Sequence, residues 1–328
     1  IMSDIVDKND FDFEGKSIAT DKNDSSKYYM KQLSTSIRDP KIFTTILSLD
    51  HPAIGKVKGC TKDAKPCIFT EYFQNGSLLD NIKDITGGKW SESRKYQVIL
   101  GIACGIEQIH SHGIFHGNLK TSNIMLNESF EPKICDFGLS TNFNEQRSAF
   151  TAPEMFSSAD NIGPETDVFA FGMISYIIIS EKLPFNGMGN RMVSIKINSG
   201  ERPQFPSGTN PSYQTLIENC WVQQKEDRYD IHKIVDQLLN DQGFKKKATD
   251  IIVESDEQHT INIKAVKELY ENKLTEQTKE AAKLMKEKVK VQCDYENKLH
   301  QMTEDYKGKL QEKRENAQMQ LEVQAMDN

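Results

Sequence analysis

Hydrophobic positions are spaced differently in successive parts of the chain. Before about residue 74 they fall in short runs that read as strands, over Ser17–Ala19, Tyr28–Gln32, Gly55–Gly59 and Cys67–Glu71, with a short helix near Pro40–Leu49. After Asn75-Gly76 the spacing turns helical, predicting helices over residues 78–85, 91–111, 165–180, 211–221 and 231–240. The longest uncharged apolar run, Val168 to Ser180, is about 13 residues, short of the roughly 20 a membrane span needs. It reads as a helix buried on every side.

Beyond about Gly243 the pattern changes again. All ten prolines lie at or before Pro211, and Lys, Glu and Gln take over. Lys245-Lys246-Lys247 and the polar stretch Glu254–His259 read as a linker over 244–260. From Ile261 to Val323, residues such as Tyr270, Leu274, Met285, Val289, Leu299, Tyr306, Leu310 and Leu321 recur mostly at steps of three, four or seven. The pentapeptide Tyr-Glu-Asn-Lys-Leu occurs at 270–274 and 295–299, and eleven-residue steps make the seam other than a strict heptad. About sixty residues at about 1.5 Å rise would reach roughly 90 Å. A stripe that long cannot be buried by one helix alone, so a coiled coil with a partner helix is expected. An isolated charge-laced helix or a disordered segment is the alternative.

Composition narrows the classes. At 328 residues the chain can hold one large domain and an extension. Its 41 basic and 48 acidic side chains give a net charge of −7, with the acidity mainly in the amino-terminal part, so no basic excess points to nucleic acid. The six cysteines form no CxxC pair and no cluster at zinc spacing, which reads as reduced, cytoplasmic usage. No signal peptide is read at the start, and Ile1 before Met2 reads as a missing true start or a fragment.

Short motifs then carry the chemistry. His116-Gly117-Asn118-Leu119-Lys120-Thr121-Ser122-Asn123 is followed by Asp136-Phe137-Gly138 and Ala152-Pro153-Glu154. Upstream stands Thr70-Glu71-Tyr72-Phe73 before Gln74-Asn75-Gly76-Ser77-Leu78, and downstream stand Asp167–Gly172, Cys220-Trp221 and Arg228. In this order the motifs resemble the protein-kinase family over roughly residues 12 to 242, through its catalytic loop, metal-binding D-F-G, hinge and activation-segment end. Cys220-Trp221 with the hinge is similar to the tyrosine-kinase-like group, and Leu119-Lys120 to the Ser/Thr form of the loop.

The resemblance implies an α+β, two-lobed fold over residues 1–243, the small lobe running to about 74 and the large lobe over 75–243, before the linker and the coiled coil over 261–323. It implies that Lys31, Thr70, Glu71, Phe73 and Met125 meet ATP, and that Asn123 and Asp136 hold Mg²⁺. Lys120 would stabilise the γ-phosphate charge, and position 118 is where the family's general base would take the proton of the attacking hydroxyl. It further implies an Arg228–Glu154 pair, a hydrophobic spine through Ile46, Val57, His116 and Phe137, and an Asp167 anchor for the catalytic-loop backbone.

The departures all weaken catalysis. Asn118 stands where the family has its catalytic aspartate, and an amide is not basic enough to take a substrate proton. Gly117 replaces the arginine that would clamp a phosphate on the activation segment, leaving Ser140, Thr141, Ser148 and Thr151 poorly supported as activating phosphosites. No G-x-G-x-x-G precedes Gly55, so backbone N–H groups have no glycine loop from which to approach phosphate. Tyr29 stands where an alanine would lie against adenine. The helix-C glutamate falls on about Ile42, so Lys31 is expected to lack the carboxylate that fixes it.

Together these departures imply a pseudokinase, a scaffold or allosteric module held in homo- or hetero-oligomers by its tail. Weak or absent ATP and Mg²⁺ binding follows, and the partners are proteins. A weakly active ATP-dependent Ser/Thr-type kinase is one alternative, and a structural coiled-coil protein with a vestigial kinase-like cap is another.

Overall fold

The computed structural model describes residues 5–15, 17–32, 40–63, 66–136, 148–158, 161–240 and 244. The linker beyond Phe244, the coiled coil expected over 261–323, Cys293, Phe137, Gly138, Ser140 and Thr141 lie outside the described residues.

The small lobe is an antiparallel five-stranded sheet in the order β1-β2-β3-β5-β4, from strands β1 (Phe11–Glu14), β2 (Ile18–Asp21), β3 (Lys27–Gln32), β4 (Val57–Cys60) and β5 (Cys67–Glu71). Helix α1 (Pro40–Ser48) follows β3. Side chains alternate across a strand, so the sheet has two chemically distinct faces. On one face Phe11, Ala19, Cys67 and Phe69 are buried together, with Val6, Tyr28 and Met30 packed against them. Tyr29 and Lys31 therefore share the other face, toward the large lobe. The sequence pattern missed β1: its burial reads Phe11 inside and the next three residues exposed, so no alternation is visible there. The β1–β2 hairpin closes at Glu14–Ile18, with only residues 15–17 at its tip.

The large lobe is helical. Its helices are α2 (Ile82–Thr86), α3 (Glu92–Ser111), α4 (Pro164–Ser180), α5 (Asn190–Asn198), α6 (Pro211–Cys220) and α7 (Ile231–Asn240), and a small antiparallel sheet pairs β6 (Ile124–Leu126) with β7 (Pro132–Ile134). Local chemistry sets the helix starts. Ser91 accepts from Arg94 N–H at 3.2 Å, and Asn210 accepts from Ser212 N–H at 3.0 Å just ahead of Pro211. The apolar run expected to be buried is α4, which packs against α3 and α6 and hides Val168 through Ile178.

One expectation is corrected here. The helix expected over 78–85 begins later, because Leu78 N–H donates to Ile124 O and Leu79 N–H to Thr121 O, while the Asp80 carboxylate takes the N–H and hydroxyl of Ser77. Those bonds tie 77–79 to the segment around β6 and leave a helix of one turn. Phe244, at the start of the expected linker, is 3% exposed and meets the Tyr213 ring edge-on at 4.7 Å between centroids. Helix α5, β6 and β7 were not legible, being short and weakly patterned.

The lobes join through the chain after Glu71 and through close backbone approach. Gly55 N–H donates to Ile134 O and Ile134 N–H to Ala53 O. A Cβ on Gly55 would lie 2.3 Å from Cys135 Sγ, so only glycine allows this approach.

Arg228 ties the end of the activation segment to the helical core. Its guanidinium donates to both Glu154 carboxylate oxygens at 2.8 and 2.7 Å, and to the carbonyls of Glu165 and Val222. The Arg228 side chain is 0% exposed and Glu154 13%. Removing one partner leaves a buried charge unpaired, which typically costs about 3–5 kcal/mol. Arg228→Ala is therefore expected to lower unfolding free energy by about that much in urea titrations; a loss below about 1 kcal/mol would show the pair to be ornamental.

Candidate functional site

The site is built on the loop between α3 and β6, and its geometry starts at α4. Asp167, in the first turn of that helix and 1% exposed, accepts from His116 N–H at 2.7 Å, Gly117 N–H at 2.8 Å and His110 Nε2 at 2.9 Å. This is the anchoring expected of Asp167. Adjacent N–H groups aimed at one carboxylate force a sharp turn, and Gly117 meets it with φ +72°, where a side chain is strained. A Cβ there would also lie 2.5 Å from Ile162 Cδ1.

His116 is core. Asn118 N–H donates to its Nδ1 at 3.1 Å, so the proton sits on Nε2 and donates to Cys135 O at 2.9 Å. Burial holds its pKa below the ordinary imidazole value, against the opposing pull of Asp167. The loop is then stitched to the strands beyond it: Asn123 Nδ2 donates to Asn118 O at 2.8 Å, and Cys135 N–H donates to Asn123 O at 2.9 Å.

Facing this loop is a cavity of about 440 Å³ between the lobes. Lys31, Thr70, Glu71, Lys120, Met125, Asn123 and Asp136 all line it, so the structure brings together residues more than a hundred positions apart. Ile46 and Val57, expected in the spine, are also on its wall. Tyr29 lines it from β3 while remaining 43% exposed. Its phenol is thus at the cavity wall and still reaches solvent.

Two expected residues do not line it. The Phe73 ring is buried and packs beneath Gly55, so only the Phe73 backbone is left for a ligand at the hinge. Asn118 is half-buried beside the cavity, with its carbonyl committed to Asn123. Sequence reasoning missed Ser122 and Cys135, whose only signal was adjacency to Asn123 and Asp136.

Lys31 requires a correction. Helix α1 has no acidic residue, as expected, yet Lys31 is not left without a carboxylate. Both Asp136 oxygens accept from its ammonium group. Asp136 holds φ +62°, a left-handed conformation that aspartate tolerates better than most residues but at some cost. Lys120 completes the group. Burial lowers its pKa, Asp136 opposes that effect and Lys31 adds to it, so these three side chains feel one another's charge.

For Mg²⁺ the donor types fit, since a carboxylate and an amide oxygen are hard ligands. The charge fits less well. The Asp136 carboxylate is already neutralised by Lys31, and Asn123 Oδ1 accepts from Ser122 Oγ at 3.3 Å.

The comparisons with known proteins bear on this arrangement. A family model described as protein tyrosine and serine/threonine kinase matches residues 15–238. A probable LIM domain-containing serine/threonine-protein kinase of Dictyostelium discoideum is 30% identical over 207 residues, covering 59% of this chain and 32% of that protein. A dual specificity protein kinase of the same organism is 32% identical over 205 residues, covering 60% of this chain and 15% of its own length. A serine/threonine/tyrosine-protein kinase of Arabidopsis thaliana is 30% identical over 197 residues, covering 57% of this chain and 50% of its own. The matched region thus spans half or less of each of these relatives.

The His116 geometry sets a pH dependence. The imidazole pKa is 6.5 when unperturbed and lower in the fold. As pH falls below 6.5, the unfolded chain takes up a proton that the folded chain refuses, so stability declines, by up to about 1.4 kcal/mol per pH unit until the folded pKa is reached. Above that range the contribution is complete. His116→Gln is expected to flatten this part of the stability–pH curve; an unchanged slope would assign the effect to other groups.

Proposed function

The chain belongs to the protein tyrosine and serine/threonine kinase family, and within it we propose a pseudokinase: a signalling module that scaffolds or allosterically controls other proteins. The observation that carries this reading is Asn118 at the place of the family's general base. Its backbone is held by His116 and Asn123, so the loop is ordered but offers an amide where a carboxylate would accept the hydroxyl proton. Lost general-base assistance is worth about 10²–10⁴-fold in rate. The lack of any G-x-G-x-x-G before Gly55 adds to this, because backbone N–H groups then lack the close approach to phosphate that glycines allow.

In this reading the ligands are those the family normally binds, ATP and Mg²⁺. Their binding is weak or absent here: Lys31 and Lys120 would face the phosphates, Thr70, Glu71, Met125 and the Phe73 backbone would face the base, and Asn123 and Asp136 stand at the family's metal-ligand positions. The stripe over 261–323 holds copies or partners together as a coiled coil, which supports a scaffold more than a solitary enzyme.

A weakly active Ser/Thr-type kinase is the second reading. It is favoured by the convergence of Lys31, Lys120, Asn123 and Asp136 on one cavity, since phosphoryl transfer is mostly positioning and charge stabilisation.

Purified full-length chain incubated with Mg-ATP is expected to transfer no phosphate, to itself or to Ser, Thr or Tyr substrates, above the background of Lys31→Ala. Transfer that vanishes in both Lys31→Ala and Asp136→Ala would establish the weak-kinase reading instead. Light scattering on the full chain is expected to return a multiple of the monomer mass, and a strictly monomeric chain at micromolar concentration would remove the coiled coil from the proposal.

A further inference from the structure

The substitutions at Asn118 and Ile42 also act on charge, and both act in the same direction. The family pattern places a carboxylate at each position, and here each is neutral. What remains at the phosphate end of the cavity is the ammonium groups of Lys31 and Lys120 against the single carboxylate of Asp136. Glu71, the other acid on the wall, sits at the end of β5, where its carboxylate accepts from Lys56 N–H at 3.4 Å. In the β3–β5 register Glu71 lies opposite Tyr28, three positions along the strand from Lys31, about 10 Å away.

A divalent cation serves phosphoryl-binding sites by neutralising phosphate oxygens that would otherwise face protein carboxylates. The family pattern's two further carboxylates in this neighbourhood would make the local charge net negative and would call for that cation. Here two ammonium groups stand against the single carboxylate of Asp136 at this end of the cavity, with Glu71 further along its wall. We infer that the cavity binds the polyphosphate of a nucleotide such as ATP without a divalent cation, Lys31 and Lys120 supplying the positive charge that a metal would bring. The inference deepens the pseudokinase reading by naming how that cavity takes its ligand, and it rests on that reading.

Geometry supports it independently of charge. At about 440 Å³ the cavity is of the size that holds a drug-sized or cofactor-sized molecule. Val57, Ile68 and Met125 offer apolar wall to a base, and the cationic pair lies on the β3 and catalytic-loop side. Lys31 already has a carboxylate counter-ion in Asp136, so phosphate can take that place as its partner without leaving a bare charge. Asp136, released from Lys31, then faces phosphate oxygens, and Lys120 beside it offsets that repulsion. The missing glycine loop also becomes tolerable, since side-chain cations replace backbone N–H groups as the phosphate donors.

Isothermal titration calorimetry of the full chain with ATP, in EDTA and again in excess MgCl₂ at matched ionic strength, tests this directly. The two affinities are expected to agree within about threefold. Binding that requires Mg²⁺, or no binding in either buffer, overturns the inference. Asn118→Asp restores one negative charge and is expected to weaken metal-free binding by about tenfold or more while sparing Mg-ATP binding. Should that variant bind metal-free ATP as the natural chain does, the charge argument fails. Lys120→Ala, checked for folding by its thermal transition, is expected to lose metal-free binding by a similar factor, and unchanged binding would equally overturn it. The two readings fail separately: phosphoryl transfer would sink the pseudokinase whatever the calorimetry gives, and strictly Mg²⁺-dependent binding without transfer would sink only the metal-free site.

Discussion

Everything at the candidate site depends on one buried carboxylate. Asp167 leaves the first turn of the most deeply buried helix and takes two consecutive loop N–H groups and a histidine. A carboxylate at 1% exposure is tolerable only when its oxygens are satisfied, and here donors from two other segments satisfy them. The turn this imposes fixes where residues 118 to 123 can lie. His116 then carries the constraint onward, since its Nδ1 holds the Asn118 N–H and its Nε2 holds the carbonyl of Cys135, one residue before Asp136. The loop over 116–123 and the segment that carries Asp136 are thus positioned by the same helix, and none of these bonds uses the side chain at position 118. The architecture therefore does not depend on which side chain stands there.

The same separation runs through the small lobe. Structural groups remain: the antiparallel sheet, its buried outer face around Phe11 and Phe69, and the glycine that lets Ala53–Gly55 press against Ile134. Groups that serve only the chemistry are altered: the hairpin tip, Tyr29, and the absent acid of α1. The Lys31–Asp136 pair shows that these alterations are not independent. With no carboxylate on α1, Lys31 pairs with Asp136, the carboxylate that the family resemblance makes a metal ligand. One missing charge thus changes the partner of a residue more than ninety positions away.

Much of this was legible in the residues. The motif order gave the two lobes, the Arg228–Glu154 pair and the Asp167 anchor, because each rests on a specific side chain at a specific offset. The strand Cys67–Glu71 and the helix over 231–240 were readable because burial on one face leaves a clear period. Strand β1 was not, since three of its four residues are exposed and its pairing comes from β2. The false start at Leu78 came from reading apolar residues as a helix when their N–H groups belong to the chain around β6.

The sequence by itself determined the chemical inventory: Asn118 in place of a base, no acid in α1, no glycine loop, and a charged, striped tail. These are properties of residue identity and spacing, which local physics reads directly. The tertiary structure alone decided who pairs with whom. That Lys31 neutralises Asp136, that Phe73 turns inward under Gly55, and that Phe244 still belongs to the large lobe are long-range outcomes. They depend on which charges and surfaces end within a few ångströms of each other, and the energy of such encounters falls off with distance in space, not along the chain.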